Sequence, residues 1–125
     1  ATDITGFGLL GHLHEMLHTS GVSARLVLSH IPIIDGVHAL AKSGVPGGTR
    51  ANLKFVSDKV TWDEGITEEE KLILADAQTS GGLLIAVPQE KLDMLLSGLA
   101  SRGVETRAVI GRVTEGDAGK IFIEG

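Results

Sequence analysis

The chain has 125 residues, a formal charge of −5, and 42% hydrophobic against 22% charged residues, which is typical of one folded domain and excludes a disordered or fibrous chain. The acidic excess and the 3% aromatic content exclude nucleic-acid binding through basic charge or base stacking. The lack of Cys excludes disulfides, cysteine catalysis and thiolate metal sites in this chain. No apolar run reaches the roughly 18 residues of a membrane-spanning helix, so we expect neither a nucleic-acid nor a membrane partner.

The first part of the chain is predicted to alternate between helix and strand. In residues 6–19 the apolar side chains recur at helical spacing, which predicts a helix with one buried stripe. In residues 22–28 apolar and polar residues alternate, which predicts a strand with one buried face. Three more helices are expected, each beginning at a residue that can cap a helix N-terminus. They cover residues 35–43, 49–60 and 67–75, with Asp35, Thr49 and Thr67 as the caps.

The last part of the chain is predicted to hold one helix and three strands. Residues 83–87 form a continuous apolar run, typical of a strand covered on both faces. Pro88 is expected to begin a helix that ends before Gly103. Residues 105–113 and 120–124 are expected to form a hairpin. Together these elements predict an α/β or α+β fold in which helices lie against a sheet.

One short motif matches the sequence pattern of zinc proteases. His14-Glu15-Met16-Leu17-His18 matches the H-E-x-x-H pattern, in which two His on one helix face bind zinc and the Glu acts as general base. A catalytic zinc site needs a third protein ligand, and the position that the extended pattern reserves for it is Ala24. A solvated helix face with two incidental histidines is the alternative interpretation.

A second candidate site lies in the segment that leads into the first helix. The N-terminus of a helix attracts anions, Gly6 and Gly8 allow a phosphate to approach the backbone, and Asp3 could hold a magnesium ion that bridges to the phosphates. Alternatively, Asp3 or Thr5 only caps the helix, and the glycines only permit close packing. Residues 79–82, Thr-Ser-Gly-Gly, could form an anion-binding nest or a tight turn between helix and strand.

Three blocks of the sequence resemble one family. Residues 1–13 (ATDITGFGLLGHL), residues 46–49 (PGGT) with Asn52, and residues 78–84 (QTSGGLL) are similar, in this order, to the C-terminal domain of the selenophosphate synthetases (selenide, water dikinases). Ala77 departs from the pattern, which usually has Pro there, and this puts only the local turn in doubt. The wider group is that of the aminoimidazole-ribotide synthetase-like enzymes.

The resemblance implies a fold and a place in a longer protein. It implies an α+β domain of three α/β/α layers with a mixed, mostly buried sheet flanked by helices on both faces, and partly ferredoxin-like. Residues 1–125 would be a single C-terminal domain, and the ATP-binding and catalytic residues of the N-terminal domain would lie outside this chain.

The resemblance also implies an activity. The family makes selenophosphate, AMP and phosphate from selenide, ATP and water, with Mg²⁺ as cofactor, and the position of Asp3 is a magnesium ligand. Thr5, Gly6 and Gly8 are then expected to help bind the nucleotide phosphates. The expected partners are the chain's own N-terminal domain, a second copy in a full-length homodimer, ATP and selenide, all in the cytoplasm. We expect the fragment alone to be inactive. A zinc hydrolase built on His14, Glu15 and His18, or a non-catalytic docking or dimerisation module, is the alternative.

Overall fold

The computed structural model describes all 125 residues. It contains five α-helices and six strands. The helices are α1 (Gly8–Ser20), α2 (Val37–Ser43), α3 (Gly47–Val56), α4 (Glu68–Leu74) and α5 (Leu92–Ser101). The strands are β1 (Thr2–Asp3), β2 (Ser23–Val27), β3 (Val60–Trp62), β4 (Leu83–Leu84), β5 (Gly111–Thr114) and β6 (Ile121–Glu124). Short 3₁₀ turns at Leu28–His30 and Gln89–Lys91 precede α2 and α5. No helix is long and apolar enough to span a membrane.

Four strands form a mixed sheet in the order β3-β6-β2-β5. β2 and β3 both run parallel to β6, whereas β5 runs antiparallel to β2. β1 and β4 form a separate antiparallel pair. The predicted α+β class with a mixed sheet is therefore confirmed.

The hydrophobic core lies between one face of this sheet and the helices. The apolar stripe predicted for residues 6–19 is confirmed, since α1 buries Leu9, Leu10, Leu13 and Leu17. The sheet contributes the inward side chains of three strands, and α3 and α4 close the core from the helical side. The remaining members of the core cluster are Ile4, Ala24, Leu26, Val56, Val60, Leu74, Ile121 and Ile123.

The opposite face of the sheet carries no helical layer, which corrects the expectation of helices on both faces. Arg25 and Thr61 are exposed there, and the Arg25 guanidinium lies 5.1 Å from the centre of the Phe122 ring. Helix α5 buries none of its residues. The physical reason lies in β2, whose alternation of Ala24 and Leu26 with Arg25 provides only one apolar face.

The predicted hairpin of the last two strands is wrong. β5 pairs with one edge of β2 and β6 with the other, so β2 separates them. A central strand has backbone N–H and C=O groups along both edges. Pairing with β5 and with β6 gives the groups on both edges of β2 their hydrogen-bond partners.

Two other strand predictions also differ from the structure. The helix expected to run through Val60 ends at Val56, and Val60–Trp62 form β3, because β-branched and aromatic residues suit a strand. The run 83–87 contributes only the two residues of β4, and Leu83 is 65% exposed. An apolar run alone does not say whether the fold covers it.

Candidate functional site

Two segments far apart in the sequence meet at the edge formed by β1 and β4. The Ile4 N–H donates to the Gly82 carbonyl oxygen, and the Gly81 N–H donates to the Ile4 carbonyl oxygen, both at 2.9 Å. The Gln78 N–H donates to the Thr5 carbonyl oxygen at 3.1 Å. These bonds tie the N-terminal segment to the turn that follows α4, so two blocks of the family resemblance lie side by side.

Two side chains of α3 bring the third block into the same region. The Asn52 amide nitrogen donates to the carbonyl oxygens of Gly6, at 2.7 Å, and of Ala75, at 3.0 Å. The completely buried Thr49 hydroxyl donates to Asp76 Oδ1 at 2.8 Å and accepts from the Ala77 N–H at 3.3 Å. We call this set of bonds the Thr49–Asn52 clamp.

The clamp corrects the role expected for Thr49. Helix α3 begins at Gly47, two residues earlier than predicted, so Thr49 lies inside the helix and does not cap it. Asp35 does not cap α2 either, because its N-cap is Gly36. Sequence patterns gave no sign that Asn52 bridges two carbonyl groups, since both acceptors belong to distant segments.

Asp3 lies on the exposed side of the β1–β4 edge. Ile4 is buried in the core, and successive side chains of an extended segment point to opposite faces, so Asp3 points away from the core. Its register partner is Leu83, whose side chain shares that outward face. A single exposed carboxylate fits a magnesium ion that takes its other ligands from phosphates and water. No group of three or more His, Asp or Glu residues in the chain could hold a metal by itself.

The three other predicted site residues differ in what surrounds them. Gly8 has φ +71°, and a Cβ there would lie 2.7 Å from the Asp76 carbonyl oxygen, so its missing side chain makes room for the protein's own backbone. A Cβ on Gly6 would meet nothing within 4 Å, so the backbone there is open. The Thr5 hydroxyl oxygen lies 3.1 Å from His12 Nε2. No side chain caps α1, so the cap interpretation of Asp3 and Thr5 is wrong.

Residues 79–82 form a tight turn. Gly82 has φ +92°, in the left-handed region that glycine adopts readily. A Cβ on Gly81 would lie 2.9 Å from Ile4 and from the Gln78 side chain. The Gly81 N–H already donates to the Ile4 carbonyl oxygen and is not free to bind an anion, which supports the turn interpretation over the anion-binding nest.

The H-E-x-x-H residues do not assemble into a zinc site. His14 Nδ1 lies 2.8 Å from the Gly119 carbonyl oxygen, and the rings of His14 and His18 are 5.7 Å apart. Glu15 lies instead near His12, with 3.8 Å between Oε2 and Nδ1. Ala24, the expected third position, is buried in β2. Because no third ligand faces the pair, the geometry does not support the zinc hydrolase.

Comparison with known proteins identifies similar chains. The family model of the AIR synthase related protein, C-terminal domain, matches residues 1–124. A selenide, water dikinase of Myxococcus xanthus is 49% identical over 119 residues, covering 94% of this chain and 34% of the relative. One of Carboxydothermus hydrogenoformans is 49% identical over 125 residues, covering 99% and 36%. Selenide, water dikinase 2 of Peptoclostridium acidaminophilum is 42% identical over 123 residues, covering 98% and 35%.

The chain thus spans about a third of the length of these relatives and is matched almost from end to end. The match includes the β1–β4 edge, the Thr49–Asn52 clamp and the turn after α4. By this match the chain belongs to the family of AIR synthase related C-terminal domains.

Proposed function

We propose that this chain is the C-terminal domain of a selenophosphate synthetase, an enzyme that converts selenide, ATP and water to selenophosphate, AMP and phosphate. The observation that carries the proposal is the β1–β4 edge. There the Thr49–Asn52 clamp and the turn after α4 fix the backbone beside Asp3, while Asp3 itself stays exposed. The similarity to selenide, water dikinases over nearly the whole chain supports the same conclusion.

In this proposal Asp3 is a ligand of Mg²⁺ at the boundary with the N-terminal domain. A bound magnesium ion would neutralise charge on the phosphates of ATP as the phosphoryl group is transferred. This chain holds and orients the carboxylate, and the open backbone at Gly6 leaves room for a phosphate oxygen. Gly8 acts indirectly, because its close contact with Asp76 sets the position of the α1 N-terminus.

The surface around Asp3 is suited to an apolar partner. Leu83 is 65% exposed beside Asp3, and Phe7, at the start of α1, is 57% exposed. Exposed apolar side chains at this end of the domain suit an interaction surface. We propose that the parent's own N-terminal domain covers this surface, and that the parent works in the cytoplasm as a homodimer, as the family resemblance implies.

The proposal is tested by Asp3→Asn in the full-length parent protein. We expect the half-saturating Mg²⁺ concentration for selenide-dependent AMP formation to rise by at least about tenfold, because losing a metal ligand costs no less than losing a group that supports one. Thermal unfolding of the parent should change little, since Asp3 is exposed.

Asp35→Asn is the matched control, because Asp35 is also exposed but lies in the loop before α2. Its Mg²⁺ dependence should equal that of the unmodified protein. An Asp3→Asn parent with an unchanged Mg²⁺ dependence would exclude the metal role of Asp3.

A further inference from the structure

The Thr5 side chain belongs to a cluster of three polar residues at the start of α1. Thr5 Oγ1 lies 3.1 Å from His12 Nε2, and Glu15 Oε2 lies 3.8 Å from His12 Nδ1. The His12 side chain is only 11% exposed, whereas that of Glu15 is 59% exposed. The imidazole therefore lies between an outer carboxylate and the hydroxyl of a residue two positions from Asp3.

The imidazole is held in place by the residues around it. The Phe7 and His12 ring centres are 5.6 Å apart, with their planes tilted by 54°. Phe7 can lie there because residue 11 is glycine: a Cβ on Gly11 would be 2.7 Å from the Phe7 Cβ. The Thr5 backbone is fixed as well, since its carbonyl oxygen accepts from the N–H groups of Gly8 and Gln78. Both ends of the Thr5–His12 bond are thus constrained.

The charge of Glu15, 3.8 Å from His12 Nδ1, favours one direction for this bond by electrostatic attraction. A neutral imidazole has one nitrogen that donates and one that accepts, and an ionised carboxylate only accepts. With the proton on Nδ1, His12 directs its N–H toward Glu15. With the proton on Nε2, the lone pair of Nδ1 would face the carboxylate. The first tautomer is therefore favoured, and the Thr5 hydroxyl must then donate to Nε2.

We propose that His12 is a positioning residue that fixes the Thr5 hydroxyl as an acceptor toward the metal site. A hydroxyl has one proton and two lone pairs, so once its proton is committed to His12, Thr5 Oγ1 presents only lone pairs to solvent. Asp3 and Thr5 flank the buried Ile4 and so lie on the same outward face. The group that fits them is a water bound to the cation, because such a water donates hydrogen bonds. A phosphate oxygen, which only accepts, does not fit.

This inference rests on the proposed function, and it assigns Thr5 a different task from the phosphate contact expected from the sequence. Thr5 holds the outer hydration of the metal that Asp3 ligates, and the phosphate contact is left to the open backbone at Gly6. No covalent bond forms or breaks in this step. His12 acts only through Thr5 and touches neither metal nor nucleotide.

The tautomer is tested first, in the full-length parent labelled with ¹⁵N-histidine. The ring nitrogens are identified by ¹⁵N–¹H correlation, and the signals of His12 by their loss in His12→Gln. A proton on Nδ1 in the neutral ring is the expected result. A proton on Nε2 would overturn the proposal, because Thr5 would then accept from His12 and be free to donate.

The metal contact is tested by Mn²⁺ binding to the parent with ATP and without selenide, measured by electron paramagnetic resonance. Thr5→Val should weaken Mn²⁺ binding by about five- to tenfold, the usual effect of one lost hydrogen bond, while Thr5→Ser keeps the hydroxyl and stays within about twofold. With selenide present, Thr5→Val should raise the half-saturating Mg²⁺ concentration more than it lowers kcat at saturating Mg²⁺.

Variants of His12 test whether it acts through Thr5. His12→Leu should weaken Mn²⁺ binding as Thr5→Val does, and His12→Gln, whose amide oxygen can accept the hydroxyl proton, should restore it. His38→Leu is the control, because His38 is exposed on α2. If His12→Leu does not fold, the comparison of Thr5→Val with Thr5→Ser still decides whether the Thr5 hydroxyl contributes to Mn²⁺ binding. Unchanged Mn²⁺ binding in Thr5→Val would overturn the inference.

The two proposals fail in different ways. If the unmodified parent forms no selenide-dependent AMP, the proposed function is wrong, whatever the tautomer of His12. If the parent is active and Asp3→Asn shifts its Mg²⁺ dependence, but Thr5→Val binds Mn²⁺ normally, only the role of Thr5 and His12 is wrong.

Discussion

Gly6 and Gly8 are two positions apart but have different surroundings. Gly8 adopts φ +71°, and a Cβ there would meet the backbone of Ala75 and Asp76, whereas a Cβ on Gly6 would meet nothing within 4 Å. Gly8→Ala should therefore lower the free energy of unfolding by about 2–4 kcal/mol, because backbone strain and overpacking add. Gly6→Ala should stay within about 0.5 kcal/mol of the unmodified chain.

Urea denaturation of the two variants measures this difference, with Gly6→Ala as the matched control. Equal stability of both variants would mean that the start of α1 does not lie against the end of α4.

The pKa of Asp58 is lowered by its neighbour Lys59. The Lys59 ammonium, 2.9 Å from Asp58 Oδ1, donates a hydrogen bond to the carboxylate and attracts it electrostatically, and so holds the pKa of Asp58 below its ordinary value. A lowered pKa in the folded state means that the pair contributes its stability above the unfolded pKa and loses it as the pH falls through the folded pKa. The contribution is small because the carboxylate is fully exposed.

We expect Lys59→Gln to raise the pKa of Asp58 toward its ordinary value, as followed by ¹³C NMR titration of the carboxyl group. Lys42→Gln, at an exposed site on α2, should leave that titration unchanged. An Asp58 pKa that is the same with and without Lys59 would contradict the assigned cause.

At the scale of elements, the α4 N-terminus shows a local pattern that formed as predicted. The Thr67 hydroxyl accepts from the Glu70 N–H at 3.2 Å, and the Glu70 carboxylate accepts from the Thr67 N–H at 2.8 Å. Thr67→Ala should lower the free energy of unfolding by about 1 kcal/mol, because it leaves a helix N–H without its partner.

Thermal or urea unfolding tests the cap, with Thr106→Ala as the control, since Thr106 is exposed and lies outside every helix and strand. A loss of stability no larger than that of Thr106→Ala would show that the capping box does not stabilise α4.

At the scale of the whole molecule, the proposed function assigns this chain one part of a site that the N-terminal domain would complete. Asp3 is a single carboxylate at an exposed edge, and the chain has no group of three or more residues that could hold a metal. The purified 125-residue chain, given selenide, ATP and Mg²⁺, should therefore form no AMP, whereas the full-length parent should. Selenide-dependent AMP formation by the chain alone would refute this division between two domains.

Sedimentation of the same preparation tests the alternative of a docking or dimerisation module. Exposed apolar side chains such as Leu83, at 65%, and Met94, at 70%, should make the isolated chain self-associate as its concentration rises. If the N-terminal domain covers these residues, the parent should keep one assembly state over the same range. If the assembly state of the parent also changes with concentration, the docking or dimerisation module is favoured.

The sequence predicted only part of the candidate site. Asp3, Thr5 and the glycines could be named, because a glycine-rich segment before a helix is a local pattern and the family resemblance covers it. The clamp formed by Thr49 and Asn52 could not be recognised, because its acceptors lie 23 to 46 residues away along the chain. The contact of His12 with Thr5 depends on where α1 starts, which the prediction placed two residues too early.

The sequence by itself determined the properties that depend on neighbours along the chain. The buried stripe of α1, the capping box at Thr67 and the single apolar face of β2 all follow from local spacing. Only the tertiary structure decided that β2 lies between β5 and β6, that Val60–Trp62 pair with β6, and that Arg25 and Thr61 stay exposed on the other sheet face. The reason is physical: a local pattern fixes which side of an element is apolar, whereas its hydrogen-bond partners are chosen among distant segments that compete for the same strand edges.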